Sequence, residues 1–176
     1  NEGIVRYIDG SWVLPAEVDT PVPPSAEDAL LLRLQQVSPV AGELAEILSV
    51  SRGGASAETL IEVAERPAES VIGALEELVS ARILESAGHE YAFAQGALSK
   101  AVSRGLDPIR RQQLHARWAD RLLATRSDRD GQLEAGWHLV HTDQELRGAD
   151  LLAKLAPDMV EHRVSMGAAI PAIERV

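Results

Sequence analysis

Cysteine is absent from the chain. Disulfides and thiolate metal sites are thereby excluded, and a reducing cytoplasmic setting is expected. Positive charge is in short supply: 17 Lys and Arg stand against 27 Asp and Glu, a formal net charge of -10. Such a chain matches polyanions poorly, whether DNA or an anionic membrane surface. No run of eighteen apolar residues occurs, so no membrane-spanning helix is expected, and no signal peptide is visible. The only glycine pair, Gly53-Gly54, has no lysine after it. A P-loop needs backbone amides and a lysine to cradle phosphates, so no ATP and no other cofactor is expected on these residues. No local motif pairs a nucleophile with a base. The chain is therefore not expected to be an enzyme, and no catalytic, cofactor or metal residue is assigned.

What is present is enough to fold. The chain has 176 residues and is 45% hydrophobic, which suits one large domain or two small ones with a real core. It starts at Asn1 and ends in Gly167-Ala168-Ala169-Ile170-Pro171-Ala172-Ile173-Glu174-Arg175-Val176 with no turn or cap signal. Both ends are expected to be cuts in a longer protein.

The first segment reads as a β-hairpin. Ile4–Ile8 and Ser11–Leu14 are β-branched and aromatic runs around Asp9-Gly10, a favoured two-residue turn. The linker Pro15–Ser25 holds four prolines and excludes regular helix or central strand. Helices follow. Ser25 caps the first, with Leu30, Leu31, Leu34 and Val37 on its inner side. Ser38-Pro39 starts the second, with serine as cap and proline in the first turn, and its core positions are Leu44, Ile47 and Leu48. Ser51–Gly54 breaks the chain. Ser56 caps a third helix carrying Leu60, Ile61 and Ala64, and Arg66-Pro67 makes a corner. The fourth places Val71, Ile72, Leu75, Leu78 and Val79 at helical spacing. Ile83–Ser86 and Glu90–Phe93 around Ala87-Gly88-His89 read as a second hairpin.

Two short helices at a corner followed by a hairpin spell a winged helix-turn-helix. The rest is predicted helical over 96–104, 107–126, 130–142 and 145–156, with Pro157 and Pro171 limiting the last helices. Asp107-Pro108 repeats the cap-then-proline signal. The last pair, with Trp137 and His138 on one helix and Leu146, Ala149, Leu152 and Leu155 on the next, reads as the start of a TPR-like solenoid. The fold class is mainly α. The divisions are 1–24 for hairpin and linker, 25–94 for the winged helix, 95–129 for linking helices and 130–176 for the repeat-like region.

Three constellations invite chemistry. On a wheel at about 100° per residue, His115 falls in one apolar arc with Leu114, Trp118, Ala119, Leu122 and Leu123, so it reads as a packing residue rather than a base. His138 and His141 lie one turn apart with Glu134 a turn before. Two such histidines can ligate zinc, but a third ligand and the HExxH base position are missing, and packing is the favoured reading. Arg110, Arg117 and Arg121 share the opposite side of the 107–126 helix, with Arg126 and Arg129 nearby. They form either a solvated face or a docking strip for an acidic protein surface, on this chain or another subunit.

The order of parts also resembles the region after the nucleotide-binding core of bacterial STAND-type signalling ATPases, which include LuxR-type regulators and proteins with attached kinase or cyclase domains. The resemblance covers about residues 1–156 and rests on Asp9-Gly10-Ser11-Trp12, Pro23-Pro24-Ser25, Leu32-Arg33-Leu34, Tyr91-Ala92-Phe93, Arg110-Arg111, Leu114-His115 and Trp137-His138. Two positions depart from the pattern. Gln95-Gly96 stand where a histidine and an acidic residue often follow the Y-x-F motif, and Arg82 stands where glycine often precedes the wing. The resemblance implies a winged helix that packs on the nucleotide-binding domain or another subunit, with ATP bound upstream and a signal collected by later helices.

The expected reading helix, Ala68 to Ala81, carries Glu69, Glu76 and Glu77 and no basic residue. Glu58, Glu62, Glu65, Glu85 and Glu90 surround it, against Arg66, Arg82 and His89. Groove readers need cations for phosphates and base edges, so a protein-packing winged helix is favoured. A DNA-binding regulator is the alternative, and a small hydrolase or metal enzyme the second.

Overall fold

A computed structural model of the chain describes residues 6–8, 11–13 and 31–161, and it is mainly helical. The strands β1 (Arg6–Ile8) and β2 (Ser11–Val13) pair antiparallel, with Tyr7 opposite Trp12 and Ile8 opposite Ser11. The expected Asp9-Gly10 turn, the proline linker, the Ser25 cap and the segment beyond 161 lie outside the described residues.

A helical turn at 31–34 leads into α1 (Pro39–Ser49), which starts where the Ser38-Pro39 signal put it. The Ser38 hydroxyl accepts from the Ala41 amide at 3.3 Å, meeting one of the donors a helix start leaves open. Glu77 holds the same serine from 39 residues away, taking its N–H at 2.8 Å and its hydroxyl at 2.6 Å. These bonds hold the Glu77 carboxyl below the usual carboxylate range.

A two-residue strand, β3 (Ala55–Ser56), precedes α2 (Ala57–Ala64), whose cap is the expected Ser56. The corner at Arg66-Pro67 leads into α3 (Ala68–Ser80). Then come β4 (Leu84–Ala87) and β5 (Glu90–Phe93). The three strands form one antiparallel sheet in the order β3-β5-β4, with Ala55 opposite Tyr91. Strand β3 was not expected from the sequence. Gly54 permits it: a Cβ at that position would stand 3.1 Å from the Tyr91 carbonyl oxygen.

Three helices complete the described chain before the last: α4 (Gly96–Gly105), α5 (Pro108–Thr125) and α6 (Arg129–Val140). Asp107 caps α5 by accepting from the Ile109 amide at 2.8 Å and the Arg110 amide at 3.3 Å. The last helix, α7 (Glu145–Glu161), runs through Pro157, where the sequence predicts its limit. A proline in mid-helix removes one backbone donor, and the helix continues past that single missing bond. Among the described residues no helix is long and apolar enough to cross a membrane.

The core is aliphatic. Leu44, Ile47, Leu60, Leu75, Leu78, Ile83 and Leu98 are fully enclosed, and Leu114 and Trp118 of α5 join the same cluster. The core thus crosses position 94, and α4 and α5 pack with the preceding helices rather than merely linking them. Two residues expected on packing faces are exposed: Ile72, at 46%, because Val71, Ala74, Leu75 and Leu78 already fill the inner face of α3, and Leu146, at 79%, in the first turn of α7.

Candidate functional site: the two faces of one helix

Helix α5 has two working faces. The first holds the arginines. Arg110 bonds Glu46 at 3.0 Å and lies 3.5 Å from Glu43, while Arg117 reaches the same Glu43 at 3.6 Å. Arg121 pairs with Glu62. Arg66, at the corner before α3, adds a fourth guanidinium, 2.9 Å from Glu43. All three strip residues are therefore half-buried against carboxylates of α1 and α2 in the same chain. The side chain of Glu43 is only 14% exposed, so three cations meet one carboxylate in a setting where water screens them weakly. A solvated face does not describe these arginines.

The second face carries His115 and Trp118, which are both 3% exposed. The Trp118 indole donates to the Ile47 carbonyl at 2.9 Å and so ties α5 to α1. His115 faces α6: its Nδ1 lies 2.9 Å from Nδ1 of His138. His138 stacks on Trp118 with centroids 5.7 Å apart, and His141 stacks on His115 at 4.7 Å. Trp137 stands edge-on to His115 at 5.3 Å, with the Arg52 guanidinium 5.7 Å over its ring.

The tautomers follow from the partners. The Trp137 carbonyl can only accept, so Nδ1 of His141, 2.8 Å away, carries a proton and donates it. The His115–His138 contact needs one proton between two nitrogens. Nε2 of His138 is buried with no partner. A buried N–H without an acceptor is the costlier orphan, so the proton belongs on Nδ1 of His138 and His115 accepts. Burial pushes the His115 imidazole down to about 3, with His141 and Arg111 adding to the shift. Burial likewise holds His138 well below its ordinary value, with His115, His141 and Arg52 adding to it.

His115 and His138 face each other, and His141 is turned to a carbonyl. Glu134 points toward Arg126 at 3.7 Å, and burial raises its carboxyl. Among the described residues no group of three or more His, Cys, Asp or Glu is placed to hold a metal.

The sequence reading put His115 inside and the arginines together on the opposite face. It missed the histidine bridge and the acceptors of the arginines, because both are contacts between distant elements. Glu43 and Glu46, one helical turn apart on α1, were the available signal. Comparison with family models, curated proteins and solved structures finds no match.

Proposed function

We propose that this chain is a regulatory packing piece of a STAND-like signalling ATPase working in the cytoplasm. On this reading residues 39–93 are a winged helix-turn-helix that packs on protein, and α6 and α7 begin a TPR-like array that collects a signal. The order helix, β3, helix, helix, β4, β5 supports the winged-helix reading. The resemblance set out above supports the family, and ATP would bind in a domain outside this sequence.

The observation that carries a regulatory rather than a DNA-reading role is the exposed side of α3. It presents Glu69, Ile72, Gly73 and Glu76 and no cation. Phosphate contacts need Lys or Arg, and this face offers carboxylates around an exposed aliphatic side chain. The experiment is a mobility-shift assay on random and genomic duplex at low salt. No shift at micromolar protein is expected. A salt-sensitive, sequence-dependent shift lost on changing Glu69–Glu76 would replace the proposal with the DNA-binding reading. In the parent protein, Arg121→Glu should alter basal ATPase activity and Glu62→Arg should restore it. Unchanged activity would remove the regulatory role.

A further inference from the structure

The body of the molecule and its last two helices meet through imidazole and indole, and Ala119 and Leu122 of α5 and Ala135 and Leu139 of α6 are buried outside the central cluster. Among the described residues the aliphatic cluster runs from α1 to Trp118 and contains none of α6 or α7. Departure of the α6–α7 hairpin therefore uncovers the cluster only at Trp118, on which His138 stacks. At the meeting face the His115–His138 bridge holds one proton between two buried rings.

We propose that the bridge is a proton-operated latch: neutral, it keeps the α6–α7 hairpin docked on α5, and on taking up protons it releases the hairpin from the body.

The bridge tolerates protons poorly for a reason of geometry. An imidazolium donates from both nitrogens and accepts from neither. A proton added to His115 puts N–H against N–H unless His138 moves its own proton to Nε2, where no acceptor waits. A second proton leaves no acceptor at all. The charged and titratable groups facing the pair are Arg111 from α5, Arg52 from the segment between α1 and β3, and His141 from α6. None of these supplies a negative charge. The acid of α6 with a raised carboxyl, Glu134, interacts with Arg126 and Arg52.

Once α6 lifts away, both rings return to water and titrate near pH ~6.5. Opening thus takes up two protons that the docked form refuses. Docking is fully supported above that value and is lost as pH falls below it. The loss continues toward about 3, the value to which burial holds His115. Two protons make the opening constant rise about 100-fold per pH unit in this window. The proposal stands independently of the family assignment, since it concerns only contacts within this chain.

The test is native-state hydrogen exchange on the 176-residue chain between neutral pH and pH ~4.5, corrected for intrinsic exchange. Amides of α6 and α7 should lose protection about 100-fold per pH unit below pH ~6, while those of α1 and α3 keep theirs. His115→Gln with His138→Gln should flatten that slope. Should the double variant fail to fold, His115→Gln alone should reduce it to about 10-fold per unit. Glu134→Gln should leave it as steep or steeper, because a raised carboxyl takes up its proton in the docked form. Loss of protection in α1 and α6 together, with one slope, would mean global acid unfolding and overturn the latch. So would a wild-type slope in the histidine variants, or a flattened slope in Glu134→Gln.

Discussion

The two sides of α5 solve the same problem with different chemistry. Toward α1 and α2 it buries Leu114 and rings that contact with ion pairs from Arg110, Arg117 and Arg121. Toward α6 it presents His115 and Trp118 to His138, Trp137 and His141. Aliphatic burial has no dependence on pH, and arginine–carboxylate pairs keep both charges through the range where an ordinary imidazole titrates. Imidazole burial is conditional on the ring staying neutral. One helix therefore joins a permanent contact to a conditional one, and the difference is set by residue type rather than by buried area.

Trp118 belongs to both sides, so removing it should do the most damage. Trp118→Ala loses a buried indole and the bond to the Ile47 carbonyl and should cost about 3–5 kcal/mol, read from denaturant unfolding. A stable variant would mean that the two contacts do not share this anchor. Next is the hairpin itself. A Cβ on Gly148 would stand 2.6 Å from the Val140 amide nitrogen and 2.8 Å from the Gly136 carbonyl oxygen. Gly148→Ala should therefore push α7 off α6 at a cost of about 1–3 kcal/mol, with exchange rising in α6 and α7 before α1.

Glu43→Gln probes the permanent contact. It removes the charge that faces Arg66, Arg110 and Arg117 and should cost about 1–2 kcal/mol. The loss should be the same at pH 7 and pH 6, whereas a loss that grew with acid would erase the contrast between the two sides. The smallest effect belongs to Ile72→Ala. At 46% exposure it should change the unfolding midpoint by no more than about 0.5 kcal/mol equivalent. A core-sized loss would restore the sequence-based placement of Ile72 in the interior.

The parts of this design that depend on neighbours in the chain were legible in the sequence. Ser38-Pro39, Ser56 and Asp107-Pro108 announced three helix starts, and each is made by the expected side-chain cap. The wheel put His115 and Trp118 on one side and the arginines on the other, because a helix repeats every ~3.6 residues whatever it packs against. Periodicity names a face but not its partner. The pairing of Arg121 with Glu62, or of His115 with His138, requires knowing where α2 and α6 lie. Strand β3 is two residues long and exists only because β5 accepts it across 36 positions, from Ala55 to Tyr91. Ile72 fits the helical repeat as well as Val71, and only the crowding of the inner face by its neighbours excludes it. The helix limit expected at Pro157 failed for the converse reason: a strong local preference gave way to a helix already under way.

The closeness of α6 and α7 has a mechanical meaning. Gly148 sits against the backbone of Val140 and Gly136, and Gly136 sits under the Leu152 side chain, so the two axes run antiparallel and interlock at the glycines. Sliding one along the other would drive backbone into backbone. The pair is thus a stiff arm rather than a soft one, and α7, at 17 residues and ~1.5 Å per residue, gives it a reach of roughly 25 Å.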